Sequence, residues 1–275
     1  MTAPTLRTFS GTLLLLGAGK MGGALLDGWL ARGLSPKKIA VIEPQPPKGL
    51  KTLTRRGLKL NPKSKIKSVS AIVIAVKPQS ASAALPALAA YAHKSTVAIS
   101  IMAGRTVGFI EKSLPGAAIV RAMPNMPAAI GRGITVAVPN ARVSAKQRKL
   151  AGALLAAIGT VEWVRDETLM DAVTALSGSG PAYVFLLAEA MTKAGIAAGL
   201  PPKLAATLAR ETVAGSGELL HRLPIDAGTL RQNVTSPGGT TAAALEVLMG
   251  PGGFDALLTR AIAAATQRGR ELAGS

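Results

Sequence analysis

The stretch Thr12-Leu13-Leu14-Leu15-Leu16-Gly17-Ala18-Gly19-Lys20-Met21-Gly22 decides the fold. The short apolar run that ends at Gly17 reads as a buried strand. From Gly22 to Arg32 the apolar residues Ala24, Leu25, Trp29 and Leu30 mark one face of a helix, so the chain passes from strand to helix across the glycines. Gly17 permits a tight turn, Gly19 lets backbone approach a pyrophosphate, and Gly22 occupies the third glycine place of a dinucleotide-binding pattern. The first turn of the helix adds unpaired N–H groups and a partial positive charge, which suit a phosphate. Gly17, Ala18, Gly19, Lys20, Met21 and Gly22 are therefore candidate cofactor-binding residues. A purely structural glycine turn is the alternative.

Outward from this point, short apolar runs recur at Ile39–Ile42, Ala71–Val76, Val97–Ile101, Ala118–Arg121 and Ile134–Val138. Helical patterns such as Ala81–Ala92 and Ser144–Ala157 fall between them. Alternating strands and helices predict a parallel α/β sheet. After Glu162-Trp163 the strand signals stop, and 169–176, 182–195, 201–220 and 254–273 all have helical character. Charge changes at the same place. Residues 1–165 hold 24 Lys and Arg against 4 Asp and Glu, whereas residues 166–275 hold 8 against 10. The expected division is a dinucleotide-binding domain over 1–165 and a helical domain over 166–275.

Composition narrows the chemistry. The 275 residues are 48% hydrophobic, enough for one large core or two ordinary ones, and 3% aromatic, so that core is aliphatic. The absence of cysteine removes disulfides, thiolate zinc sites and a cysteine nucleophile. His93 and His221 are the only imidazoles and neither lies in a motif, so no metal is expected. No targeting segment or bilayer-length apolar stretch is evident, which predicts a soluble cytoplasmic protein without a membrane partner. The net charge of +18 is concentrated in the first half, where it can steer a phosphate-bearing cofactor and an anionic substrate. Nucleic acid is not expected, because aromatic residues are not interleaved with the cations.

Five further segments carry candidate site residues. Glu43 ends the second strand, where an acid accepts from adenosine ribose hydroxyls and favours NAD; the nearby Lys48, Lys51, Arg55 and Arg56 suit a 2′-phosphate, so the preference between NADP(H) and NAD(H) stays open. Val76-Lys77-Pro78-Gln79 lies at the C-terminal end of a strand, the edge on which open α/β sheets bind ligands, so Val76, Lys77 and Pro78 are candidate cofactor residues; an ordinary solvated lysine is the alternative. In Arg121-Ala122-Met123-Pro124-Asn125-Met126-Pro127 two prolines stiffen a loop around Asn125, which is either a cofactor-binding residue or part of an ordinary turn. Ser177 and Ser179, within Leu176-Ser-Gly-Ser-Gly-Pro-Ala-Tyr183, either face a ligand or cap the helix that Pro181 starts. Lastly, Val234-Thr-Ser-Pro-Gly-Gly-Thr-Thr241 runs into a helix over Ala242–Met249. Its small residues expose backbone N–H groups in an anion site sized for a carboxylate, with hydroxyls from Ser236, Thr240 and Thr241. A plain N-cap is the alternative there.

Together, from about Leu13 to Leu272, these residues resemble the pyrroline-5-carboxylate reductases. The pairing of segment 176–183 with segment 234–241 carries the resemblance. It implies a Rossmann-type domain followed by an all-α domain that dimerises. It also implies hydride transfer from NAD(P)H to the C=N bond of 1-pyrroline-5-carboxylate, the last step of proline biosynthesis. On that likeness Ser236, Gly238, Gly239, Thr240 and Thr241 hold the substrate carboxylate, with Ser177 and Ser179 nearby, and the Thr241 hydroxyl reaches the ring nitrogen as the catalytic group. Two other readings remain: another oxidoreductase of the same layout using Lys193 or Asp171, and a basic binding protein without catalysis.

Overall fold

The structure is a computed structural model that describes residues 5–273. The chain packs as two compact units, one of residues 5–178 with 266–273 and the other of residues 179–265.

The first unit is built on an eight-stranded sheet. Its strands are β1 (Thr12–Leu16), β2 (Ile39–Ile42), β3 (Lys59–Leu60), β4 (Val69–Ile74), β5 (Val97–Ser100), β6 (Ala118–Met123), β7 (Gly133–Pro139) and β8 (Gly159–Trp163). They lie in the order β3-β2-β1-β4-β5-β6-β7-β8. Chain order reverses on the two sides of β1, and this switch point opens a crevice at the C-terminal ends of the strands. The leucines of β1 explain why both faces need cover. Leu13 and Leu15 pack into one layer with Leu25, Leu26 and Trp29 of α1 (Lys20–Ala31) and with Leu154 and Leu155 of the later helix α5 (Ala145–Leu155). Leu14 and Leu16 pack into the opposite layer with Ala81, Leu85, Leu88 and Ile110. Trp29 is fully buried, and its indole N–H donates to Leu154 O at 2.9 Å, tying α1 to α5.

The structure departs from the sequence reading at several places. The sheet is not parallel throughout, for β6 and β7 are antiparallel. The connection between Met123 and Gly133 is too short for a crossover, which takes a dozen residues or more, so the chain turns straight back. The helix expected over 81–92 is α-helical only as α3 (Ala81–Ala84) and continues as a 3-10 segment over Leu85–Tyr91. Pro86 lacks the N–H that an α-helix needs at that point. The helix expected over 169–176 is α6 (Met170–Val173) followed by a π-turn, Thr174–Gly178. Two short helices were not anticipated, α2 (Lys48–Thr54) and α4 (Val107–Ser113).

The second unit is helical: α7 (Gly180–Ala197), α8 (Pro202–Arg222), α9 (Ala227–Asn233), α10 (Thr240–Leu248) and the first part of α11 (Phe254–Ala273). Helices α7 and α8 pack closely because Gly195 faces Ala205; a Cβ on Gly195 would sit 3.2 Å from that of Ala205. Ala205 and Ala209 are its buried residues among those described, while Phe185 (58%), Leu186 (61%) and Val247 (77%) are strongly exposed. Such a unit has apolar surface that needs a cover.

Candidate active site

In the first unit a cleft of about 990 Å³ opens at the switch point. Gly17, Ala18, Gly19 and Lys20 line it beside Glu43, Pro44 and Gln45 after β2, and Val76 and Lys77 after β4. The three glycines divide the work. Gly17 has φ +90°, which favours glycine, and a Cβ there would stand 2.7 Å from Ala75 O. A Cβ on Gly22 would run into Gly17 O, so Gly22 lets α1 close onto the loop. Gly19 faces open space, with nothing within 4 Å of its Cβ position. It is also the N-cap of α1, which has no side-chain cap and no acid in its first turn. The N–H groups of that turn are thus left to a ligand, and the cradle suits a pyrophosphate.

Of the expected cofactor residues, Gly17, Ala18, Gly19, Lys20, Glu43, Val76 and Lys77 meet at this cleft. Met21, Gly22, Pro78 and Asn125 are not among its lining residues. Pro78 O accepts from Arg105 Nε at 3.3 Å, and the Arg105 guanidinium lies 4.6 Å above the Phe109 ring. Asn125 Oδ1 accepts from Ile134 N–H at 3.0 Å, which fastens its loop to β7. The buried Arg121 pairs with Glu167 at 2.8 Å, and the same carboxylate oxygen caps α4 by accepting from Val107 N–H.

The expected substrate residues of the second unit gather at the start of α10. Gly239 is its N-cap, and no side chain caps the helix. Gly238 takes φ +66°, and Gly239 N–H donates to Ser236 O at 3.0 Å in a tight turn that presents the next N–H groups outward. Thr241 is half-buried, while Ser236 and Thr240 are exposed. The preceding helix α9 is capped by Asp226, which accepts from Thr229 N–H and hydroxyl; those bonds hold its carboxyl below the usual range. Ser177, in the π-turn of the first unit, donates its hydroxyl to Val173 O at 2.9 Å. Ser179 is the N-cap residue of α7 but makes no side-chain cap bond.

Residues 167–272 match the family described as pyrroline-5-carboxylate reductase dimerisation, and residues 12–104 match the one described as NADP oxidoreductase, coenzyme F420-dependent. The pyrroline-5-carboxylate reductase of Synechocystis is 40% identical over 94% of this chain and 97% of its own length. The structure of that enzyme from Coxiella burnetii superposes with a TM-score of 0.87 at 33% identity, covering 95% of this chain and 98% of the other. The Plasmodium falciparum reductase, solved with NADP bound, gives a TM-score of 0.78 at 28% identity, over 96% and 98% of the two chains. The chain belongs to the pyrroline-5-carboxylate reductase family.

Membership of the pyrroline-5-carboxylate reductase family accounts for the paired small-residue motifs. The rival catalytic lysine is otherwise engaged: Lys193 forms an exposed ion pair with Glu189 one turn away on α7. Asn61 is the residue that sequence reasoning missed. It sits at φ +45° just after β3 and grips the backbone of Glu43. Its signal was an asparagine before Pro62 closing a short strand, which is weak without the structure.

Proposed function

We propose that the chain reduces 1-pyrroline-5-carboxylate to L-proline with NAD(P)H. Residues 1–165 serve as the dinucleotide-binding domain and 166–275 as the substrate-binding and dimerisation domain. The observation that carries this reading is the uncapped N-terminus of α1, facing open space at Gly19 on the wall of a large cleft.

The chemistry asks little covalent work of the protein. The protonated cyclic imine is already an electrophile at its C=N carbon. Bound NAD(P)H supplies the hydride, which adds to that carbon and leaves a secondary amine. Gly17 to Lys20 and the first turn of α1 hold the phosphates. Val76, Lys77 and Glu43 define the walls beside them, and Pro78 and Asn125 keep their loops in place. The backbone N–H groups of Thr240 and Thr241 hold the substrate carboxylate, with Ser236, Gly238 and Gly239 shaping the turn. The Thr241 hydroxyl orients the ring nitrogen, and Ser177 and Ser179 contribute further polar surface. A cation close to the ring would disfavour the protonated imine that accepts the hydride; the segment 232–246 contains none.

The exposed apolar side chains of α7 and α10 fit a surface covered by a second copy. The reading is of a cytoplasmic homo-oligomer with no nucleic-acid or membrane partner. Among the described residues no helix is long and apolar enough to cross a membrane. The test is loss of absorbance at 340 nm when the protein meets pyrroline-5-carboxylate and either cofactor, with proline identified as product. Absence of turnover with both cofactors sinks the reading.

A further inference from the structure

Glu43 is held more firmly than a residue on an open loop needs to be. Its N–H donates to Asn61 Oδ1 and its C=O accepts from Asn61 Nδ2, both at 2.8 Å. Its carboxylate accepts from Ala18 N–H at 2.7 Å through Oε2 and from Gln45 N–H at 3.0 Å through Oε1. Asn61 is itself fixed, with its N–H on Val41 O at 2.8 Å and its backbone in the left-handed region, which asparagine enters more readily than most residues. A negative charge is thus anchored between the glycine loop and the end of β2.

The cations that might answer it stand elsewhere. Lys48, Lys51, Arg55 and Arg56 are exposed, and none of them lines the cleft. The lysines that do are Lys20, next to Gly19 at the start of α1, and Lys77, which follows β4 on the far side of β1 from β2. In a dinucleotide laid across a switch point, the pyrophosphate meets the glycine loop and the adenosine ribose falls beside the end of the second strand. There the lining is Ile42, Glu43, Pro44, Gln45 and Pro47, a fixed carboxylate with no lysine or arginine beside it in that stretch.

We propose that Glu43 is the specificity-determining residue for the dinucleotide and selects NADH over NADPH, with Asn61 as its positioning residue. The inference rests on the cleft being the dinucleotide site. A ribose 2′-hydroxyl donates to a carboxylate in a charge-assisted hydrogen bond. A 2′-phosphate has no such donor to give at neutral pH and brings a charge of about −1.5 to −2 against a carboxylate that cannot swing away.

Equilibrium binding of NADH and NADPH to the full chain, without imine substrate, tests this at fixed ionic strength by calorimetry or nicotinamide fluorescence. Wild type binds NADH at least tenfold more tightly. Glu43→Gln keeps the shape and an acceptor for Ala18 N–H but removes the charge, and the ratio of the two dissociation constants falls at least fivefold. Asn61→Gly tolerates the left-handed backbone and removes only the grip, and the ratio falls in the same direction. Equal or tighter binding of NADPH by wild type overturns the proposal, as does an unchanged ratio in Glu43→Gln. An unchanged ratio in Asn61→Gly, in a variant that melts as a folded protein, overturns the role of Asn61. Binding of neither dinucleotide overturns the cleft assignment itself, and the selectivity with it.

Discussion

Gly19 and Gly22 stand three residues apart and carry opposite requirements. The space at Gly19 is empty in the protein and is filled by the ligand, so Gly19→Val weakens dinucleotide binding at least tenfold, about 1.4 kcal/mol, while the melting temperature stays near wild type. A Cβ on Gly22 would run into Gly17 O and stand 3.2 Å from the Ala75 side chain, so Gly22→Ala forces α1 off the loop and destabilises the fold by about 1–3 kcal/mol. Calorimetry and thermal melts on both variants separate the two cases; a destabilised Gly19→Val that still binds normally reverses the assignment. Thr241 submits to a similar comparison. As an orienting hydroxyl, it predicts a fall of about 10²–10³ in kcat/KM for Thr241→Ala with a small change in melting temperature, and near-normal turnover for Thr241→Ser. A Thr241→Ala variant with full turnover and a lowered melting point makes the residue a helix cap. At this scale the sequence showed which residues stand in the motifs. It did not show that Asn61 grips Glu43, because folding brings those two together, or that the Ser177 hydroxyl turns back to Val173 O, because that local bond depends on the π-turn.

Elements were legible where a single force dominates. β1, β2 and α11 follow from apolar periodicity alone, and β1 and β2 have the bounds that their side chains predict. Where local and tertiary preferences compete, the sequence was mute. β3 is two residues long and pairs only with β2, so no pattern can announce it. The π-turn at Thr174–Gly178 also hides, since its composition is that of a helix. Helix α9 carries a testable consequence because it leads directly into the substrate loop. Asp226 has a pKa below its ordinary 3.8, chiefly through the Thr229 hydroxyl and then the Thr229 N–H. A depressed folded pKa means that this cap stabilises above the unfolded value and is lost as pH falls through the folded one. Wild type therefore loses melting temperature relative to Asp226→Asn as pH drops below 3.8. Parallel acid limbs for the two proteins remove Asp226 from the account.

As a whole molecule, the chain divides its labour unevenly. The sheet unit buries its leucines on two faces, whereas the helical unit leaves Phe185, Leu186 and Val247 in solvent. Light scattering of the full chain therefore gives a dimer or a larger assembly at micromolar concentration. Replacing Phe185 and Leu186 together by Glu weakens association at least tenfold, and a wild-type monomer contradicts the covered-face reading. The two-domain layout was legible because charge and periodicity both change near residue 165; the compact units instead divide after Gly178, since residues up to that point pack with the sheet. The last turns of α11 rejoin that same sheet unit: a Cβ on Gly269 would lie 3.4 Å from Asp171, and one on Gly104 would meet Leu272 at 3.9 Å. Nascent domains generally fold in the order in which they leave the ribosome, N-terminal first. Residues 266–273 follow the whole helical unit in the chain, so the sheet unit gains these contacts only after that unit has been synthesised.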